Sequence, residues 1–177
     1  SSKEDITKKI EELLRELEEE LKKSEKHLRE LNEEAKRTAE ESRRHLEESL
    51  RKVEKDGVDE DLLRKLEEHV RDNERRARKL LKDLKDSTDT NRRTAKRLLE
   101  RLKELVERIK EMLKRNIDDE ELKKLLKELE DLVKEIKERL RKTNEEHRKL
   151  VEEIKERLKR SNESNERLVR RIEEEAR

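Results

Sequence analysis

"EKDGVDEDLL" (residues 54–63) and "KRNIDDEEL" (114–122) are one device written twice. In the first, Gly57 suits the left-handed residue that follows a helix end. Asp59 suits the next N-cap, and Val58 before it can staple onto Leu63. In the second, Asn116 takes the left-handed role and Ile117 staples onto Leu122. Asp118 is the cap, and Glu121 completes a capping box with it. The N-terminus repeats the pattern with Ser2 and Asp5 just before Ile6. These are the only two credible breaks in the chain. They delimit helices over roughly 3–56, 59–115 and 118–176, each ~55 residues and ~80 Å long. Turns this short force neighbouring helices antiparallel. The expected fold is all-α: one long, nearly straight, up-down-up three-helix bundle, a single domain over 1–177.

The composition agrees. Of 177 residues, 58% are charged, none is aromatic, Pro and Cys are absent, and Gly occurs once. Charge this dense usually means disorder. Here 52 Lys and Arg nearly cancel 51 Asp and Glu, and the signs are finely interspersed. The 27% of hydrophobic residues are not scattered either, and a helical seam needs about that fraction. A net charge of +1 supplies no field to attract nucleic acid or an acidic membrane. Without aromatics there is no base-stacking platform. No apolar run nears the ~20 residues of a membrane span, and the N-terminus has no apolar leader segment. Without Cys there are no disulfides, thiol nucleophiles or Cys-type zinc sites. The expectation is a soluble protein, cytoplasmic if expressed in a cell, with no native compartment.

The seam carries an eighteen-residue internal repeat. Leu62, Leu80 and Leu98 form one series in the second helix, and Leu66, Leu84 and Leu102 another. The third helix has Val133, Val151 and Val169, and Ile136, Ile154 and Ile172. The first has Leu17, Ala35 and Val53. Eighteen residues make five turns at 3.6 residues per turn, the period of a straight helix; a 3.5 repeat would supercoil it. Residue identities recur, not only polarity, so the repeat is not an accident of amphipathicity.

Stepping along this repeat also exposes substitutions of the seam. Asn73 and Asn91 lead to Ile109. Ser87 leads to Leu105, and Thr88 to Val106. Leu125-Leu126 becomes Thr143-Asn144 and then Ser161-Asn162; Leu129 becomes His147 and then Asn165. Ile6 becomes Ser24 and then Ser42. Polar residues at apolar positions face the core. Antiparallel register groups them, with facing residues summing to ~115 across the first turn and ~233 across the second. Ser24 meets Asn91 and Thr143. His27 meets Ser87 or Thr88 and His147. Ser42 meets Asn73 and Ser161. His45 meets His69 and Asn165. Between these layers lie apolar ones, such as Leu31, Leu84 and Leu150, or Ala35, Leu80, Leu81 and Ile154. Isolated buried polar groups cost ~1–3 kcal/mol each, whereas groups gathered in one layer satisfy one another. "LKDSTDTNRRTAKRLL" (84–99) is then no loop but a seam with its core positions rewritten. Ser87, Thr88 and Asn91 point inward, and Asp86, Asp89, Arg92 and Arg93 face water.

The chain resembles de novo designed helical bundles with buried hydrogen-bond networks. The "DGVDED" and "NIDDEE" turns carry the resemblance, with the Glu/Lys/Arg-saturated surface, the straight-helix repeat and the polar layers at Ser24–Asn91–Thr143 and Ser42–Asn73–Ser161. It covers the whole chain, and it implies an idealised, very stable scaffold with no evolved activity. Spectrin-like repeats, also three-helix bundles, use core aromatics that are absent here.

The functional expectation is therefore a structural scaffold whose polar layers specify helix register and pairing, with a monomer as the expected state. The alternative is an interaction module: doubled apolar positions such as Leu80-Leu81, Leu98-Leu99 and Leu125-Leu126 broaden the stripe and permit self-association or a partner helix. A three-helix core needs such positions in any case. All four histidines fall in the expected layers. Burial there would lower their pKa below ~6.5 and make stability fall as pH drops toward the folded value. His27 fits least well, since its counterpart one repeat earlier is Lys9. A metal site is not expected. His45 and His69 lack a third good ligand, and the Glu residues near His in "ESRRHLEE" and "EEHRKL" fall on outer faces. No arrangement for catalysis or a cofactor stands out from the solvated Glu and Asp.

Overall fold

The computed structural model describes residues 3–55, 59–115 and 119–175. They form three helices, α1 (Lys3–Lys55), α2 (Glu60–Arg115) and α3 (Asp119–Glu175), packed against each other as an all-α three-helix bundle. The long polar run 84–99 lies wholly within α2. The expected caps and staples at Ser2, Gly57, Val58, Asn116, Ile117 and Asp118 fall outside the described residues. Asp59 is described and does what its position demands. Its side chain accepts the Asp61 amide at 3.1 Å, and its carbonyl accepts the Leu63 amide at 3.0 Å. It thereby satisfies one of the donors that a helix start leaves open. Acidic residues fill the first turns, Glu60 and Asp61 in α2 and Asp119 to Glu121 in α3, and Lys114 and Arg115 close α2. Both signs complement the helix dipole.

The contacts group into two compact units. The first comprises Ser1–Leu28 with Thr88–Glu146, and the second Arg29–Ser87 with His147–Arg177. In the first unit, Ile10 and Leu17 pack with Leu102, Val106 and Ile109 and with Leu129, Val133 and Ile136 in one apolar cluster. The second unit has two smaller clusters. Leu31 and Ala35 meet Leu84, Val151, Ile154 and Leu158, with Leu80, Leu81 and Leu150 against them. Val53, Leu66 and Ile172 form the other. Both apolar layers expected from register are present, merged into the first of these two clusters. Within this unit, higher numbers on α1 meet lower numbers on α2 and higher numbers on α3, so α2 runs antiparallel to both.

The period of the repeat is visible as burial. Ile136, Ile154 and Ile172 are all buried, as are Leu66, Leu84 and Leu102, and Leu17, Ala35 and Val53. Each position turns the same face inward after five turns.

Replacing Asp59 by Ala removes the cap on α2. The expected loss is about 1 kcal/mol in equilibrium denaturation, with Asp59→Asn retaining most of the stability.

Candidate functional site: the buried polar side chains

Ser24 is buried at 4% exposure, and its hydroxyl donates to Asn144 Oδ1 at 3.0 Å. Ser42, buried at 5%, donates to Asn162 Oδ1 at 2.8 Å. Both pairs join α1 to α3 across 120 residues of sequence, and both members recur one repeat later. One bond is thus written twice, once in each unit. His147 is enclosed at 1% exposure, with Nε2 2.7 Å from Asn32 Oδ1. An amide oxygen cannot donate, so Nε2 carries the proton and the imidazole acts as donor.

These partners differ by about one residue from those expected. Register fixes the level of a side chain, not the side of the helix on which it stands. Thr143 and Ser161 share the level of Ser24 and Ser42, but Asn144 and Asn162, turned by ~100°, point toward α1. Thr143 and Ser161 are half-buried, as are Ser87, Thr88 and Asn91 on α2. Asp89, expected to face water, is half-buried too. Asn73 is buried, and it lines one groove with Ser161, so that part of the Ser42–Asn73–Ser161 layer is brought together.

Three expected members are corrected: His27, His45 and His69 are exposed. His27 and His45 continue the repeat series of Lys9, and that series is an outer flank facing α3. Lys9 pairs with Glu130, and His45 Nε2 donates to Glu166 at 3.0 Å. Two steps of the repeat separate Lys9 from His45 and Glu130 from Glu166, so the same pair type returns. His69 is turned out because the buried stripe of α2 here runs through Leu66, Val70 and Asn73, and His69 stands ~60° off it. The pH response expected of buried imidazoles loses its basis at these three.

With His45 and His69 outside, Asn165 loses both expected partners. It is buried at 2%, and neither its Nδ2 nor its Oδ1 has a hydrogen-bond partner. Asn73 Nδ2 is buried without one as well. Asn32 was not singled out by the sequence, although its counterparts one repeat away on either side, Leu14 and Leu50, mark a rewritten core position.

The α1–α3 flank holds further pairs of opposite charge. Lys137 Nζ lies 3.0 Å from Glu16, Lys52 lies 3.5 Å from Glu173, and Lys155 bonds to Glu34. The bond to Glu34 holds the Lys155 ammonium above its ordinary value, against a smaller opposing effect of burial. Among the described residues, no three His, Cys, Asp or Glu side chains cluster as metal ligands, and no helix is long and apolar enough to cross a membrane. No protein-family profile, curated protein or solved structure matches the chain.

Asn165→Leu restores the residue found two repeats earlier, Leu129, which is fully buried. It should raise stability by about 1–3 kcal/mol in chemical denaturation, because the orphaned amide disappears. The Lys155–Glu34 pair has the opposite pH sign from a buried carboxylate. Its raised lysine value means that its contribution is complete below the ordinary 10.5 and is lost as pH climbs through the folded value. The stability difference between the parent and Glu34→Gln should therefore shrink above pH 10.5.

Proposed function

We propose that the chain is a structural scaffold without evolved activity, monomeric, in which buried Ser, Asn and His side chains fix the register of α1 against α3. The observation that carries this reading is the duplicated Ser–Asn bond, Ser24 with Asn144 and Ser42 with Asn162. A slip by one residue or one turn breaks both bonds at once. A slip by one whole repeat is the dangerous one, because a periodic seam nearly matches itself there. One Ser–Asn pair survives it in either direction. Asn32–His147 does not: the slip sets His147 against Leu50 or Leu14, and a buried donor then meets a side chain that cannot accept. The periodic pairs fix the fine register, and the aperiodic Asn32–His147 pair selects among the repeats. Polar groups used this way give up stability for specificity. The resemblance to de novo designed bundles with buried networks supports the same reading.

The parent should scatter light as a species of 21.7 kDa. A variant with Ser24→Ala, Ser42→Ala, Asn144→Leu and Asn162→Leu should stay helical, with stability within about 2 kcal/mol of the parent or above it. It should also show mixed masses or two populations in amide exchange. A single mass with one exchanging population would sink the specificity reading, and outright unfolding would mean that the bonds act as stabilisers.

A further inference from the structure

We propose that the groove between α2 and α3 in the second unit binds a compact oligophosphate such as inorganic triphosphate. The groove has a volume of about 470 Å³. Four cationic residues line it, Arg76 and Lys79 from α2 and Arg157 and Arg160 from α3, against one acid, Asp83. The whole chain is nearly neutral at +1, so this is a local concentration of one sign. Each cationic pair is spaced one helical turn apart, and antiparallel packing brings both pairs to the same level, within ~5 Å along the axis.

The α1–α3 seam of the same unit shows what a self-satisfied flank looks like. There Lys155 meets Glu34, His45 meets Glu166 and Lys52 meets Glu173, each opposite in sign. In the α2–α3 groove, like charges face like charges across the seam. Among the described residues, Arg157 and Arg160 pair with carboxylates of their own helix, Glu153 at 2.8 Å and Glu156 at 3.8 Å, and pairs this exposed contribute little. The floor adds a second, independent demand. Asn73 is more than nine-tenths buried, lines the groove, and holds an Nδ2 donor with no acceptor. An anion seated in the groove would bring acceptor oxygens to the residue that holds this donor. Guanidinium forks match phosphate oxygens two at a time, and two cationic pairs one turn apart suit successive phosphates better than a single carboxylate. No aromatic residue is present to stack a base, so a nucleoside on the chain adds nothing.

The neighbouring α1–α2 groove, about 410 Å³, is an internal control. Three cations line it, Lys36, Arg43 and Arg78, and two acids, Glu40 and Glu74, stand among them, so the local excess of positive charge is smaller. Titration calorimetry with inorganic triphosphate at low ionic strength should show one saturable site. ATP should bind no more tightly. Arg76→Gln with Lys79→Gln should weaken binding at least about tenfold, and Asn73→Leu severalfold, with helical circular dichroism unchanged. Lys36→Gln with Arg43→Gln should leave it intact. Absence of saturation, unchanged affinity in the Arg76/Lys79 variant, or an equal loss in the Lys36/Arg43 variant would overturn the proposal.

Discussion

The offset between α1 and α3 is the constraint on which the other contacts depend. Lys9 to Glu130, Glu16 to Lys137, Glu34 to Lys155, His45 to Glu166 and Lys52 to Glu173 all span 121 residues. The five α1 positions fall within ~20° of one another on a helix of 3.6 residues per turn. At 3.5 residues per turn the same positions would spread around the axis, and the pairs could not all form without a supercoil. Within each unit, the straight-helix period therefore keeps one edge of α1 against one edge of α3. The Ser–Asn bonds sit on the inner side of that edge and the ion pairs on its outer side. Individually the exposed pairs are weak. Their value lies in agreement, since each one excludes the registers that the others exclude.

The division of apolar burial follows from the same repeat. Fourteen buried hydrophobic residues form the cluster of the first unit, against six and three in the clusters of the second. The sequence positions are cognate, but the second unit has Asn73, Asn165, His147 and Ala35 where the first has leucine, isoleucine or another large apolar residue. Apolar area is the main source of stability, so the larger cluster of the first unit makes it the deeper well, while buried polar side chains occur in both units.

How much of this was legible in the sequence depends on what each inference needed. Helix number and extent needed only two capping signals and an uninterrupted period, and Asp59 confirms the kind of cap expected. Inward positions such as Ile136, Ile154 and Ile172 needed only the period. Ser24, Ser42 and Asn165 were correctly placed inside because their counterparts include Ile6 or Leu129. Partner choice needed the direction of each side chain around its axis, and a rule that matches levels contains no such angle. That is why Thr143 was expected where Asn144 stands. The histidines failed for a related reason. Lys9 marked the position of His27 and His45 as a flank, but the level rule set His45 beside His69 and Asn165 and overrode it. Asn32 is the reverse case: Leu14 and Leu50, one repeat away on either side, mark its position as part of the seam, but no expected layer called for it and it was passed over.

The fixed phase of the repeat also has a consequence for chain length. Because five turns close on themselves, inserting one repeat block into each helix at matched levels lengthens each helix by about 27 Å without rotating a residue beyond the insertion. Faces, flanks and caps keep their orientation. Length in this architecture is thus a modular quantity, independent of how the helices recognise one another. The Asn32–His147 bond has no counterpart one repeat away, where Leu14 and Leu50 stand, so added blocks would leave its position distinguishable from theirs.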